Sequence, residues 1–128
     1  MRRFSSPFRL TVWLLYWAMI FLLTHTPISS GRLPNVYQAD KVVHFGMFFG
    51  LGVLGGWYRV SRGRPGRSAR LVGLALWLGL YALLDEATQP YVGRTASVAD
   101  FGADVLGILA ACWALSRGTP AAPRSDRK

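Results

Sequence analysis

Three pairs of polar residues in this chain stand four positions apart: Asp40 and His44, Asp85 and Gln89, Asp100 and Asp104. On a helix, residues at i and i+4 share a face, so each pair aims two functional groups the same way. Glu86 adjoins the second pair, and Lys41 and Arg94 supply cations nearby. An imidazole among carboxylates can move protons near neutral pH. Carboxylates beside Lys and Arg can hold amines, sugar hydroxyls or anionic groups. The candidate site is therefore Asp40, Lys41, His44, Asp85, Glu86, Gln89, Arg94, Asp100 and Asp104, and its chemistry is polar recognition or general acid–base work.

The elements that must carry these residues are apolar. Hydrophobic residues make up 52% of the 128 positions and charged residues 16%, against roughly 25% charged in a typical soluble domain. Leu10–Leu23 and Leu71–Leu84 are apolar almost all round, and the runs after Lys41 and from Val105 to Ser116 are nearly as apolar. A soluble bundle would show a polar stripe at helical period on every helix. Each run reaches the ~20 residues of a spanning helix by continuing into polar residues at one end. The expected fold is an all-α membrane protein with four transmembrane helices at about 8–27, 40–58, 70–89 and 97–116. Residues 1–116 would form one membrane domain and 117–128 a polar, disordered cytoplasmic tail. Arg2 and Arg3 before a 14-residue apolar run also suit a signal peptide. Thr24-His25-Thr26-Pro27 is a poor cleavage site for one.

The formal net charge is +9, and twelve of the fifteen Lys and Arg fall on one side of this arrangement. They precede helix 1, lie between helices 2 and 3, or follow helix 4; Arg32, Lys41 and Arg94 fall on the other side. The positive-inside rule puts both termini in the cytoplasm. The loop RVSRGRPGRSAR reads as a topology determinant beside anionic lipid. It interleaves no aromatic residue for base stacking, which argues against nucleic acid. A single cysteine, Cys112, excludes an intrachain disulfide framework and reads as a packing residue.

Depth along each helix singles out one level. At ~1.5 Å per residue, His44 lies about 22 Å from Arg59, Asp85 about 22 Å from Arg70, Glu86 about 24 Å from Arg70 and Asp104 about 20 Å from Arg117. Asp40, Gln89 and Asp100 form a second tier at about 26–28 Å. Charges within lipid are costly and turn toward a bundle interior or a water-filled cavity. An outward-open pocket lined by helices 2, 3 and 4 follows, with Arg94 folding over it. Some of these residues also have structural accounts. Asp40 suits a helix N-terminus, and Ser97-Val98-Ala99-Asp100 fits a capping box that explains Asp100 as well as function does. Asp85 and Glu86 resist such an account, because carboxylates oppose the macrodipole at a helix C-terminus unless Arg94 or Lys41 pairs with them. A divalent metal on His44, Asp40, Asp85 and Asp104 is geometrically feasible. Carboxylate clusters in membranes more often serve protons or loosely held cations, so no metal and no cofactor is assigned.

Small residues recur at close-packing intervals: Ala99, Ala103, Gly107 and Ala111, with Gly46/Gly50 and Gly52/Gly56 as GxxxG pairs. Trp13, Trp17, Trp57 and Trp77 are expected to face lipid or its interface.

Asp40-Lys41-Val42-Val43-His44-Phe45 resembles the D-K-x-x-H-F signature of the VanZ-like family. Asp85-Glu86-Ala87-Thr88-Gln89, then Gly93-Arg94-Thr95 and Asp100, resembles its D-E-x-x-Q … G-R-x-x-x-x-x-D signature, and Gly107 fits as well. The likeness spans about Leu10 to Leu115. Asp104 departs from it, standing where the family often carries Asn. The resemblance implies a small, multi-pass protein of a bacterial cell membrane, of the envelope and teicoplanin-resistance type. It implies binding of a cell-wall precursor, lipid or glycopeptide at the outward pocket, and no defined reaction. Two other classes suit the same residues. One is an enzyme on a lipid-linked envelope substrate, with His44 or Asp85 as base and Glu86 or Asp104 as acid. The other is a proton-coupled transporter or flippase, in which this chain would be half of a homodimer. The absence of an internal repeat weighs against the latter.

Overall fold

Four helices account for the architecture in a computed structural model that describes residues 5–27, 36–60 and 67–117. They are α1 (Ser6–Thr24), α2 (Val36–Val60), α3 (Arg67–Thr88) and α4 (Val98–Arg117), with a 3-10 turn at Gln89–Val92 after α3. No strand occurs among the described residues. Arg2, Arg3, Arg32, Arg62, Arg64 and the tail from 118 to 128 lie outside them.

Local chemistry sets the helix ends. Pro7 opens α1, where a missing N–H costs nothing. At its other end the His25 N–H closes on the Phe21 carbonyl, 3.0 Å away, and Pro27 follows two residues later. Pro90 tightens the end of α3 into the 3-10 turn, and Gly93 ends that turn at φ 77°. A side chain there would be strained. Ser97 caps α4, its hydroxyl accepting the Asp100 N–H at 3.3 Å.

Cross-helix contacts fix the topology. Phe45 and Phe49 lie against Gly107, Gly52 against Ala111 and Gly56 against Leu115, so numbers rise together along α2 and α4 and the two are parallel. Trp17 meets Tyr81 and Trp77, while Thr24 meets Asp85, so α1 and α3 are parallel too. Each pair runs opposite to the other, giving an up-down-up-down bundle. The α2–α4 pairing is the most extensive in the molecule.

Lipid offers no hydrophobic drive for apolar helices to meet, so close van der Waals fit must hold them together. The glycines supply it. A Cβ on Gly107 would run into the Phe45 carbonyl and stand 2.9 Å from the Phe49 nitrogen. One on Gly52 would stand 2.7 Å from Ala111 Cβ. Of the two GxxxG pairs, Gly52 and Gly56 both meet α4, whereas Gly46 and Gly50 do not act as a unit: Gly50 receives the Tyr16 ring of α1, and Gly46 has nothing within 4 Å.

Trp13 overturns the expectation that it faces lipid. It is 6% exposed and packs with Ile20, Phe48, Leu51, Leu74, Leu78, Ala82 and Ile108. Its ring stacks on Tyr58 with centroids 5.9 Å apart and fills the space left by Gly55, whose Cβ would stand 3.0 Å from the indole. Trp77 is half exposed.

The surface is inverted relative to a soluble bundle. Leu15, Leu22, Val42, Leu76 and Leu106 are each more than 60% exposed, whereas Thr24, His44, Asp85, Glu86, Gln89, Asp100 and Asp104 are buried. α1, α3 with its 3-10 turn, and α4 are each long and apolar enough to cross a membrane. α2 has the length, at 25 residues, but is less apolar. Five glycines and His44 dilute it, and four of those glycines, Gly50, Gly52, Gly55 and Gly56, meet neighbouring helices. At one end of the bundle Arg9 covers the Trp57 ring, Arg117 covers Trp113, and Arg67 donates to the Leu115 carbonyl at the end of α4. The opposite end holds the acidic residues.

Candidate functional site

The acidic end divides between the two parallel helix pairs. On the α1–α3 side, Asp85 is buried with both oxygens engaged. Its Oδ1 lies 2.9 Å from the Thr24 hydroxyl and 3.2 Å from the Tyr81 hydroxyl, and its Oδ2 accepts from the Gln89 amide at 3.3 Å. His25 Nδ1 stands 3.7 Å from Oδ1, and its Nε2 is 2.9 Å from the Thr88 hydroxyl. Glu86 accepts the Ser97 N–H at 2.8 Å and the Gln89 amide at 3.3 Å. That bond from Ser97 fastens the end of α3 to the start of α4.

On the α2–α4 side, His44 is the centre. Its Nδ1 lies 3.0 Å from Asp104 Oδ1 and its Nε2 3.9 Å from Asp40 Oδ1. The pair is possible because Gly107, one turn along α4 from Asp104, lets that helix touch the backbone of Phe45, next to His44. Asp104 is fully buried, and its Oδ2 has no hydrogen-bond partner. At the rim, Lys41 Nζ is 3.4 Å from Asp100 Oδ1 and Arg94 Nη2 is 3.7 Å from Asp40 Oδ1. Arg94 also donates to the Leu23 carbonyl of α1 at 3.3 Å. The left-handed Gly93 sets the chain direction that makes this reach possible.

The two sides join at His44. Donor atoms of His44, Glu86 and Asp104 all lie within 4.8 Å of one another, as do those of Asp40, His44 and Asp100. The nine candidate residues therefore form one connected set drawn from α2, α3, the following turn and loop, and α4.

No family model matches the chain, and no curated protein or solved structure matches it significantly. The site's own geometry carries the functional argument.

One expectation needs correction, and one open condition is answered. The ion pairs of Arg94 and Lys41 are with Asp40 and Asp100, not with Asp85 or Glu86. Neutral donors meet those two carboxylates instead, because a hydroxyl or amide is far cheaper to bury than a second charge. The cluster is also not confined to helices 2, 3 and 4, since α1 contributes Thr24 and His25. The depth ruler would have found them: fifteen residues separate Arg9 from Thr24, about 22 Å at 1.5 Å each, the level of His44 and Asp85. Tyr81 stands one turn before Asp85, on the same face.

Proposed function

We propose that this chain is a VanZ-like protein of a bacterial cell membrane. In this reading it has four spanning helices, cytoplasmic termini and an acidic end that opens outward. There it binds a cell-wall precursor, lipid or glycopeptide and lowers sensitivity to teicoplanin. The observation that carries the reading is the meeting of two sequence segments about forty residues apart. The Asp40–Phe45 stretch and the Asp85–Asp100 stretch both resemble family signatures, and their polar residues share one cluster. Lys41 and Arg94 at its rim suit anionic groups of an envelope ligand, and the carboxylates suit amines and sugar hydroxyls. Among the exposed hydrophobic residues, Tyr91 and Val98 beside this end are 87% and 90% exposed, so apolar parts of a lipid would find surface nearby.

The test is teicoplanin susceptibility of a sensitive host expressing the wild type, His44→Ala or Asp85→Asn at matched membrane levels. Wild type should protect and both substitutions should remove protection. An unprotected wild-type strain would refute the reading.

One observation favours a second reading. His44 is held through Nδ1 by a buried carboxylate, which leaves Nε2 toward the less buried Asp40. That is the arrangement of an oriented general base, here acting on a lipid-linked envelope substrate. Turnover of a polyprenyl phosphate by pure protein, lost in His44→Ala, would establish it.

A further inference from the structure

The two halves of the cluster differ in how their charge is met. Asp40 has Arg94 and Asp100 has Lys41. Among the described residues, no Lys or Arg forms an ion pair with Glu86 or Asp104. The Coulombic partner of Asp104 is His44, and Glu86 is held by a backbone N–H and an amide. Two carboxylates in a low-dielectric interior with one imidazole between them are costly unless a positive charge joins them.

Asp104 Oδ2 supplies an independent observation. Buried carboxylate oxygens are nearly always bonded, and an exception calls for an explanation such as an ion. This one has no partner, on a side chain with no solvent exposure. Asp104 belongs to the group in which one donor atom each from His44, Glu86 and Asp104 lie within 4.8 Å of one another. Donors sharing an ion at ~2.1 Å stand about 3.4 Å apart at tetrahedral angles, so the group need draw in by no more than roughly 1.4 Å.

We infer that His44, Glu86 and Asp104 hold a divalent metal ion. One imidazole and two carboxylates form a mixed set suited to Mn2+ or Zn2+, rather than to the all-oxygen shells of Mg2+ and Ca2+. The neighbouring Asp40, His44 and Asp100 group is the poorer candidate, because its carboxylates already have cations. It serves instead as the way in, since the Asp40 side chain is 29% exposed and adjoins His44. Ser97 and Gln89, bonded to Glu86, orient that ligand from behind. The inference goes beyond the proposed envelope role and does not depend on it.

The test uses the full-length protein in detergent, stripped with chelator and titrated with Mn2+ alone, bound metal being read by electron paramagnetic resonance. One Mn2+ per chain is expected, with pulsed spectra showing coupling to a nitrogen that shifts on 15N-histidine labelling. Zn2+ should displace it. Glu86→Gln and Asp104→Ala should each weaken binding at least tenfold. The spectra of the wild type need no variant to fold. No binding up to millimolar Mn2+, bound Mn2+ without histidine nitrogen, or unchanged affinity in both variants would each overturn the assignment. Teicoplanin protection is read separately, so a failed envelope reading and a failed metal site give different results.

Discussion

Asp85 and Asp104 are both aspartates, both buried, and both near the same end of the bundle, yet their surroundings have little in common. Asp85 lies among two hydroxyls and an amide, with an imidazole a little further away, and every oxygen is used. Asp104 has one imidazole and an idle oxygen. A saturated carboxylate fastens helices together, since its donors come from α1, α3 and the turn after α3. An unsaturated one is a place prepared for something else. The contrast separates scaffold from site within a cluster whose sequence pattern looks uniform.

The most severe way to break that contrast is to remove the contact that creates the Asp104 side. Gly107→Val would force α4 off the Phe45 and Phe49 backbone. It should lower stability by about 3 kcal/mol or more, since backbone cannot move aside as a side chain can. Gly102→Ala, where nothing lies within 4 Å, should be neutral or mildly stabilising through helix propensity. Thermal unfolding in detergent compares the two, and equal losses would mean that the glycine contact does not hold the pair.

Removing the carboxylates themselves sharpens the comparison. Asp85→Ala strands the Tyr81 hydroxyl and half of the Gln89 amide, a cost of about 2–3 kcal/mol. Asp104→Ala, measured without metal, strands only His44 and relieves a buried charge, so its effect should stay within about 1 kcal/mol. Unfolding curves that rank the two in the reverse order would dissolve the distinction between scaffold and site. The smallest effect belongs to the rim. Arg94→Gln loses a partly exposed pair 3.7 Å long, worth about 0.5 kcal/mol at most. That loss should fade further at high salt.

Much of this arrangement was legible in the sequence. Runs such as Leu71–Leu84 announce helices by composition, and counting from the arginines placed His44, Asp85 and Asp104 at one level. Periodicity gives a residue's face and depth but not its neighbour. It therefore could not show that His44 meets Asp104, or that Arg94 and Lys41 serve Asp40 and Asp100 and leave Asp85 to neutral donors. Thr24 and His25 are hidden for a different reason: they are uncharged or weakly basic, so the charge pattern does not mark them. Trp13 is hidden because the cavity that admits it is a missing side chain at Gly55, on another helix.

The parallel pairing of α2 with α4 and of α1 with α3 gives the acidic end an electrical polarity of its own. Two helix N-termini, those of α2 and α4, converge there beside two C-termini, those of α1 and α3. Helix N-termini carry partial positive charge and C-termini partial negative charge. A ligand arriving at this end thus meets a field directed across the bundle. Anionic groups are drawn toward Ser97 and Lys41, and cations toward Glu86 at the foot of α3. A molecule carrying both charges would be turned to one orientation before it touched any side chain.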